Sequence, residues 1–560
     1  MGTVSKPMYG WNTVRWRQVK RHEFKLQKRI YQASLRGDAG RIHRLQRLLV
    51  SSRSAKLLAV RRVTQENRGK KTAGVDGVKS LTPRERLLLA EHLSLNDQAR
   101  PVRRIWIPKA NSTELRPLGI PVIGDRARQS LVKATLEPEW EARFEPNSYG
   151  FRPGRSAHDA IKAIHDGIKQ KPKSVLDADL AKCFDRIDQV ALLTKLNTSP
   201  RLRRVIKGWL KAGVMDGEEL SPTAAGTPQG GVISPLLANI ALHGLETIIN
   251  EKVPRRRQIS PPKVIRYADD FVILHEEREV IEQCREIAIQ WLGEIGLELN
   301  EKKTRITHTL EATEGEAGFE FLGFRIRQYP AGKYKSDRNG HGQPVGCITR
   351  IEPSPKAIKR HTEKLRKTIK RHIAKKESEL IEALNPQIAG WANYYRYVVG
   401  HIAFHKLGTM CFAMLYAWAK RRHPKKSKGW IVRKYWHVRG GWKFQAHNGV
   451  RLRRHEETHY ECYVKVAGAR SPYDGDLLYW STRLGYHPKV PPRVAKLLKR
   501  QKGRCRVCEQ WIREGEVMEV DLLIPRSRGG TSALHNLQLL HDHCQHLMTV
   551  EETNRHDRCA

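Results

Sequence analysis

Acidic residues are scarce in this chain relative to basic ones. Asp and Glu together number 58 against 103 Lys and Arg, which leaves a formal net charge of +45 at pH 7. A folded protein with so much charge of one sign repels itself unless a polyanion offsets the charge. The imbalance therefore favours nucleic acid as the partner.

Long apolar runs are also missing, and most of the cysteines stand alone. No run of about 18 apolar residues occurs, which excludes an ordinary membrane-spanning helix. The N-terminal residues show no apolar core followed by a small-residue cleavage site, so we expect neither membrane insertion nor secretion. The nine cysteines are an odd number and mostly isolated, which predicts a reducing compartment instead of a disulfide framework.

The chain is too long for one hydrophobic core. Its 560 residues exceed the roughly 250–300 residues that a single core supports, so we expect several domains. Residues 1–90 are basic with apolar residues at helical spacing, and 91–335 mix short β-branched runs with helices in an α+β pattern. A basic helical region (336–445), an undistinguished stretch (446–500) and a cysteine-containing end (501–560) follow.

A basic helix is predicted to begin at Ser354 and Pro355, a capping residue followed by a first-turn proline. The pattern predicts one long helix that runs to about Leu384, before Pro386. Apolar residues mark one face, and Lys and Arg crowd the others. Such a face can follow a phosphate backbone, although a solvated surface is the more common explanation for a single charge run.

Two adjacent carboxylates, Asp269 and Asp270, stand between apolar β-like runs and predict a tight hairpin. Alone, such a pair is most often a solvated turn. Asp179, however, lies at the end of an earlier strand-like run. Three carboxylates on adjacent strands can hold two Mg²⁺ ions about 3.5–4 Å apart, one activating the attacking hydroxyl and one bracing the leaving pyrophosphate. This chemistry is that of a nucleotidyl-transfer polymerase.

An ordered series of motifs resembles group II intron-encoded proteins, which are reverse transcriptases and RNA maturases. The matching stretches are 71–77 (KTAGVDG), 116–121 (RPLGIP), 148–156 (SYGFRPGRS), the Asp179 segment, 226–231 (GTPQGG), 267–270 (YADD), 297–304 and 321–324 (FLGF). The resemblance implies a multidomain α+β protein with right-hand polymerase fingers and palm over 91–335, preceded over 1–90 by a basic extension and the start of the fingers. It further implies a helical thumb, or maturase domain, over 336–445 and a DNA-binding region over 446–500.

The resemblance also implies function. We expect an RNA-directed DNA polymerase that extends a DNA primer on an RNA template with deoxynucleoside triphosphates. The same protein would bind its group II intron RNA to assist splicing, and would support retrohoming by target-primed reverse transcription on its target DNA. It would act in the bacterial cytoplasm as a ribonucleoprotein. Two alternatives stay open: a protein that is chiefly an RNA-binding splicing cofactor, and an active endonuclease for the target DNA.

Individual roles follow from the same resemblance. Asp179, Asp269 and Asp270 would bind the two Mg²⁺ ions.

Four further residues are expected to bind the nucleotide. Lys109 and Arg116 would hold the incoming triphosphate, and Gln229 would line the nucleotide pocket. Phe184, at the fifth position after Asp179, would place a ring against the sugar and exclude a 2′-hydroxyl. Ordinary surface cations and a core phenylalanine are the competing explanations.

Cysteine pairs near the C-terminus have the spacing of a zinc site. Cys505 and Cys508 precede His541 and Cys544, a donor set that suits tetrahedral Zn²⁺ in a reducing compartment. Free thiols in a small core are the alternative. Bound zinc would stabilise a small module of ββα type over residues 501–560.

The segment between these pairs resembles the HNH nuclease motif with degenerate positions. Asn536 matches the motif, but Leu522 stands where the general-base histidine is expected, and Gln545 replaces the final histidine. Leucine cannot accept a proton, and glutamine is a poorer metal ligand than imidazole. We therefore expect a DNA-contacting module with little or no cleavage activity.

Overall fold

Helical regions flank a mixed α/β centre, and a small β module follows. The computed structural model describes residues 10–546 and 548, apart from 109–114, 224, 254–259, 313–314, 333–335, 340, 438–442 and 514–515. Lys109 therefore lies outside the described residues. Within the described part of the chain, no helix combines the length and apolar composition needed to cross a bilayer.

The N-terminal region is helical, as its apolar spacing predicts. Its helices are α1 (Trp16–Leu35), α2 (Ala39–Ser51), α3 (Arg53–Arg61) and α4 (Pro83–His92). Asp38 caps α2, and Thr82 with Glu85 forms a capping box at α4, which satisfies backbone N–H groups that a helix start leaves open.

The central region, residues 102–308, mixes helices and strands. Its elements are β1 (Val102–Pro108), β2 (Leu115–Ile120), α5 (Ile123–Glu141), α6 (Ala157–Ile168), β3 (Ser174–Asp179), α7 (Cys183–Arg186), α8 (Gln189–Leu196), α9 (Pro200–Lys211), β4 (Val214–Asp216), β5 (Glu219–Ser221), α10 (Ser234–Ala241), α11 (Leu245–Lys252), β6 (Lys263–Tyr267), β7 (Asp270–His275), α12 (Arg278–Glu294) and β8 (Arg305–His308). Helix α5 packs against α1, α2 and α3, so the N-terminal helices and the centre share a core.

Two sheets organise this centre. One has the strand order β2-β1-β4-β5, and the other has the antiparallel order β6-β7-β3-β8. The second sheet is buried on both faces: Leu176 and Phe271 point into one core cluster, whereas Val175 and Val272 point into another. Strand alternation thus builds two cores and fixes the register, because a slip by one residue would exchange them.

A third sheet connects the centre to the helical region that follows. It contains β9 (Phe319–Phe321), β10 (Phe324–Pro330) and β11 (Cys347–Pro353) in the order β11-β10-β9. Leu322 and Gly323, both with positive φ, form the two-residue hairpin turn between β9 and β10. A turn with two left-handed residues matches the twist of paired strands.

The region after β11 is helical, and two helices cover the span for which one long helix was predicted. The elements are α13 (Pro355–Arg371), α14 (Glu377–Tyr395), α15 (His401–Arg422), α16 (Lys428–Tyr435) and the paired strands β12 (Trp436–His437) and β13 (Lys443–Phe444). Ser354 caps α13 as expected, but the helix ends at Arg371, and Pro386 lies inside α14. The single-helix prediction was wrong because α15 captures the carbonyls between the two helices: Trp418 donates to His372 at 3.0 Å and Arg422 donates to Lys375 at 2.6 Å.

The remaining elements are α17 (Leu477–Leu484), α18 (Pro492–Arg500), β14 (Met518–Leu522) and β15 (Leu537–His541), with helical residues continuing at 542–546. The segment before α18 docks onto α6 through Asp159, which is fully buried. The Asp159 carboxylate accepts hydrogen bonds from the backbone of Val466, the Tyr463 hydroxyl and the Arg483 guanidinium. A buried carboxylate with several donors is well compensated, so this contact fixes the C-terminal part against the centre.

Candidate active site and metal centre

Two of the three predicted acids lie opposite one another in the central sheet. Asp179 ends β3 and is the register partner of Asp270, the first residue of β7. Asp269 occupies the turn between β6 and β7, where Tyr267 pairs with Asp270. The predicted hairpin is therefore present, and the sheet brings all three carboxylates together at one edge.

The turn that carries Asp269 is strained and tightly enclosed. Ala268 has φ of +59°, a conformation that costs a non-glycine residue about 1–3 kcal/mol. Gly150 packs directly against it, since a Cβ at Gly150 would lie 2.3 Å from the Ala268 nitrogen. The close approach explains why a glycine stands at this point of the SYGFRPGRS motif.

The three carboxylates repel each other in the metal-free protein. Burial, the Asp269 charge and a hydrogen bond to Asp179 raise the pKa of Asp270 to about 8. Burial also raises the pKa of Asp269. Clustered carboxylates with raised pKa values are a recognised mark of a cation site.

Lys303 supplies a positive charge to this cluster. Its ammonium group pairs with the Asp179 carboxylate at 2.5 Å, and that hydrogen bond raises the pKa of Lys303. The lysine side chain is 65% exposed, so it can move without disturbing the core. Sequence reasoning placed Lys303 within a matching stretch, 297–304, but assigned it no role.

A cleft of about 1480 Å³ opens in front of the carboxylates. Its walls include Asp179, Asp269, Arg116, Phe184 and Gln229, so five residues selected from the sequence line one space.

Arg116 reaches this cleft from strand β2. It is exposed, and its register partner on β1 is Ile107. Although burial raises the pKa of Asp269, the Arg116 charge partly offsets that shift. Arg116 is thus close enough to the acids to act on a ligand that bridges the cleft.

Phe184 and Gln229 are positioned by a glycine-rich loop. The backbone N–H of Thr227 donates to the Phe184 carbonyl at 2.6 Å, and Gly119 donates to the Gln229 carbonyl at 2.6 Å. A Cβ at Gly226 would lie 2.6 Å from the Phe184 carbonyl oxygen. Hydrogen bonds of this loop therefore link β2 to α7, the helix that carries Phe184. Only glycine fits at position 226, where the loop comes closest to α7.

Asn239 and Arg266, which sequence reasoning missed, support the Asp269 turn from behind. Arg266 is buried and donates to the Ala268 carbonyl at 3.1 Å and to the Asn239 side-chain oxygen at 3.0 Å. Asn239 in turn donates to the Gly150 carbonyl at 2.8 Å. No local pattern marks these residues, because Asn239 lies 27 residues from Arg266 and 89 residues from Gly150.

The C-terminal module brings together the predicted zinc ligands. The ligand atoms of Cys505, Cys508, His541 and Cys544 all lie within 4.8 Å of one another. The His541 Nδ1 atom faces the Cys508 sulfur at 3.3 Å, and its Nε2 atom lies 3.2 Å from a Glu516 carboxylate oxygen. A carboxylate behind the imidazole is the usual second partner of a metal-bound histidine.

The thiols of this cluster have opposing pKa shifts. Burial alone would raise the pKa of Cys505, but backbone hydrogen bonds from Cys508 and His541 lower it to about 7. Burial and the neighbouring sulfurs raise the pKa of Cys544 to about 12. Since neighbouring thiolates repel, full ionisation of the cluster requires a cation. A set of three thiols and one imidazole fits Zn²⁺.

The HNH-like positions lie on the hairpin next to this cluster. Leu522 ends β14 opposite Leu537 and packs against the apolar residues around the cysteines. Asn536 holds the intervening loop: its side chain donates to the carbonyls of Ile524 and Thr531 and accepts from the Ile524 backbone. Gln545 lies in the helical residues after Cys544. The strand, strand and helix order agrees with the predicted ββα type.

Comparison with protein families matches three parts of the chain. Residues 107–326 match the family described as reverse transcriptase (RNA-dependent DNA polymerase). Residues 11–93 match the N-terminal domain of reverse transcriptase, and residues 358–436 match the maturase-specific domain of group II introns.

Individual relatives agree with these matches. Protein YkfC of Escherichia coli (strain K12) is 34% identical over 329 residues, which cover 51% of this chain and 83% of that protein. The group II intron-encoded protein LtrA of Lactococcus lactis subsp. cremoris is 27% identical over 401 residues, which cover 57% of this chain and 64% of LtrA. A solved apo telomerase from Candida tropicalis, truncated from the C-terminal domain, aligns with a TM-score of 0.32 at 13% identity, over 40% of this chain and 53% of that one.

Proposed function

The chain belongs to the group II intron-encoded reverse transcriptases and maturases, and we propose that Asp179, Asp269 and Asp270 hold the two Mg²⁺ ions for its RNA-directed DNA synthesis. One observation carries the proposal: the β3 and β7 register places Asp179 opposite Asp270, with Asp269 at the turn between β6 and β7. All three are carboxylates, the ligands that Mg²⁺ prefers. Burial and the neighbouring Asp269 charge raise the pKa of Asp270, and a bound cation would favour its ionised form.

The residues around the acids are proposed to bind different parts of the substrate. Bound Mg²⁺ supplies charge neutralisation, activation of the primer hydroxyl and stabilisation of the leaving pyrophosphate. Arg116 offers a planar donor fork to the triphosphate, and Gln229 forms part of the nucleotide pocket. Lys109 is proposed to share the triphosphate with Arg116. Positioning and electrostatic stabilisation, without a covalent intermediate, account for the rate enhancement expected of such a site.

Phe184 is proposed to select deoxynucleotides. Its half-buried ring lines the cleft near Asp179, and its backbone is held by the glycine-rich loop. A ring against the sugar leaves no room for a 2′-hydroxyl.

Primer extension on an RNA template tests the polymerase proposal. We expect extension with deoxynucleotides and little with ribonucleotides, and the double variant Asp269→Ala, Asp270→Ala should abolish extension. Equal use of both nucleotide classes would contradict the role of Phe184, and extension by the double variant would contradict the metal site.

Intron RNA is proposed to bind the exposed basic face of α13. This face carries Lys359, Arg360, Lys364, Arg366, Lys367, Lys370 and Arg371, all exposed, whereas Leu365 and Ile369 are buried. The face lies within the matched maturase domain and can neutralise several phosphates at once. The inactive double variant changes no residue of α13 and should therefore still assist splicing of its intron; loss of both activities together would contradict this division.

The region over 446–500 and the C-terminal module are proposed to contact target DNA during retrohoming by target-primed reverse transcription. Zinc bound to Cys505, Cys508, His541 and Cys544 would stabilise the module. The intron ribonucleoprotein is proposed to form in the bacterial cytoplasm. Leu522 gives the module no general base at the motif position. A nicking assay on target DNA should show little cleavage by the unaltered chain, with Leu522→His, Gln545→His as the gain-of-function comparison. Robust cleavage by the unaltered chain would favour the active endonuclease instead.

A further inference from the structure

Phe151 has an unusual conformation and an unusual exposure. Its φ is +60°, which is a genuine outlier for a bulky side chain. Its side chain is 48% exposed, although phenylalanine is among the residues most often buried. The exposed ring lines the same cleft as Asp179 and Asp269.

The neighbours of Phe151 in the chain hold this conformation in place. Gly150 is pressed against Ala268 and its carbonyl accepts from Asn239 at 2.8 Å. Arg152 is buried and forms a two-pronged ion pair with Glu141 at 2.9 and 3.0 Å. Because both flanking residues are fixed, the backbone at Phe151 cannot relax. Strain that the surrounding structure maintains is typical of functional positions.

The Phe151 ring contacts one candidate functional side chain. It meets the Phe184 ring edge to face, with ring centroids 6.4 Å apart and an interplanar angle of 72°. Phe184 also packs against the buried core. The Phe184 ring therefore has contacts with both the core and Phe151, and loss of the Phe151 ring would remove one of the two.

We propose that Phe151 is a positioning residue for sugar selection: it holds the Phe184 ring in the orientation that closes the space for a 2′-hydroxyl. The inference rests on the proposed function, in which Phe184 itself meets the sugar. Deoxynucleoside triphosphates are the substrate class that this pair admits. Phe151 acts through Phe184 and not on the reacting atoms.

Steady-state incorporation of one deoxynucleotide and the matching ribonucleotide by Phe151→Ala tests the inference. The measured quantity is the ratio of kcat/KM for the two substrates. We expect discrimination to fall by about 2- to 12-fold, the range that one edge-to-face pair supports. Phe151→Tyr keeps the ring and should restore discrimination, whereas Phe151→Leu keeps apolar bulk without the ring and should restore it only in part. Since the side chain is half exposed, these changes leave the core intact, which the thermal midpoint checks.

A double-variant comparison separates the inference from the proposed function. If Phe151 acts through Phe184, adding Phe151→Ala to Phe184→Ala should change discrimination no further. Unchanged discrimination in Phe151→Ala, with discrimination lost in Phe184→Ala, overturns the inference alone. Discrimination that survives Phe184→Ala overturns the proposed sugar contact itself. A raised KM for primer and template with an unaltered sugar ratio would assign Phe151 to base stacking and also overturn the inference.

Discussion

Replacing Asn239 by alanine should disable the polymerase site without touching a carboxylate. Asn239 is 1% exposed in α10, and it connects Gly150 to Arg266 through its two side-chain hydrogen bonds. Among the described residues, the Nε and Nη2 atoms of buried Arg266 have no hydrogen-bond partner. The variant would therefore remove one of the few acceptors of a buried cation and leave the Gly150 carbonyl unpaired.

The magnitude follows from those two lost bonds. A buried polar group without a partner costs about 1–3 kcal/mol, and more where the group is charged, so the pair amounts to roughly 2–6 kcal/mol. Part of this cost is relieved by movement of the Ala268 turn, which Arg266 also holds. A displacement of about 1 Å in a reacting group lowers rates about 100-fold. We therefore expect kcat for deoxynucleotide incorporation to fall by about 10- to 100-fold.

The assay compares kcat, the KM for primer and template, and the thermal midpoint. Asn239→Asp retains an acceptor for Arg266 but loses the donor to Gly150, and should have an intermediate kcat. Asn250→Ala, an exposed position in α11, is the matched control and should behave like the parent. A normal kcat in Asn239→Ala, whether or not the thermal midpoint falls, would refute the reasoning that this network positions the Asp269 turn.

Three further predictions concern other parts of the chain. The purified protein should hold one zinc ion per chain; a strong chelator or Cys508→Ser should release it and expose the C-terminal module to protease, and unchanged protease resistance would argue for free thiols in a small core. Asp270→Asn should raise the thermal midpoint of the metal-free protein more at pH 8 than at pH 5. The pKa of Asp270 is raised to about 8 in the folded protein, against about 3.9 in the unfolded chain. Ionisation of Asp270 therefore lowers the stability of the folded protein progressively as pH rises above about 3.9. If the rise in thermal midpoint caused by Asp270→Asn does not grow with pH, the raised pKa of Asp270 is contradicted. Affinity for intron RNA should fall about 10³- to 10⁵-fold between 50 and 200 mM salt if about 6–10 phosphates are neutralised. Replacing Lys364, Lys367 and Arg371 with alanine should flatten this dependence, and an unchanged slope would place the RNA elsewhere.

Features set by local pattern could be predicted from the sequence. Apolar β-like runs on both sides of the Asp269–Asp270 pair were enough to predict a hairpin, because a two-residue turn between strands has few solutions. Cysteine and histidine spacing likewise located the ligand cluster, since Cys505 and Cys508 are three positions apart in the chain, as are His541 and Cys544. Ser354 marked the start of α13 for the same reason: capping depends on adjacent residues.

Features set by contacts between distant residues could not be predicted. The break between α13 and α14 depends on donors from α15, and Trp418 and Arg422 carry no mark that they would reach His372 and Lys375. A helical pattern reports which face is apolar, not where a later helix will compete for backbone carbonyls.

The candidate active site also contains both kinds of feature, those set by local pattern and those set by contacts between distant residues. Asp179 and Asp270 are recognisable because each stands at the end of an apolar strand. The Asp269 turn is held by Arg266 of β6, which donates to the Ala268 carbonyl. Arg266 is held in turn by Asn239 of α10, which also donates to the Gly150 carbonyl. A buried network of this kind is stable only when all its members are present. The SYGFRPGRS stretch and the YADD box are therefore parts of one structural unit, and the strained backbone at both Phe151 and Ala268 persists because neither segment can relax while the other is in place.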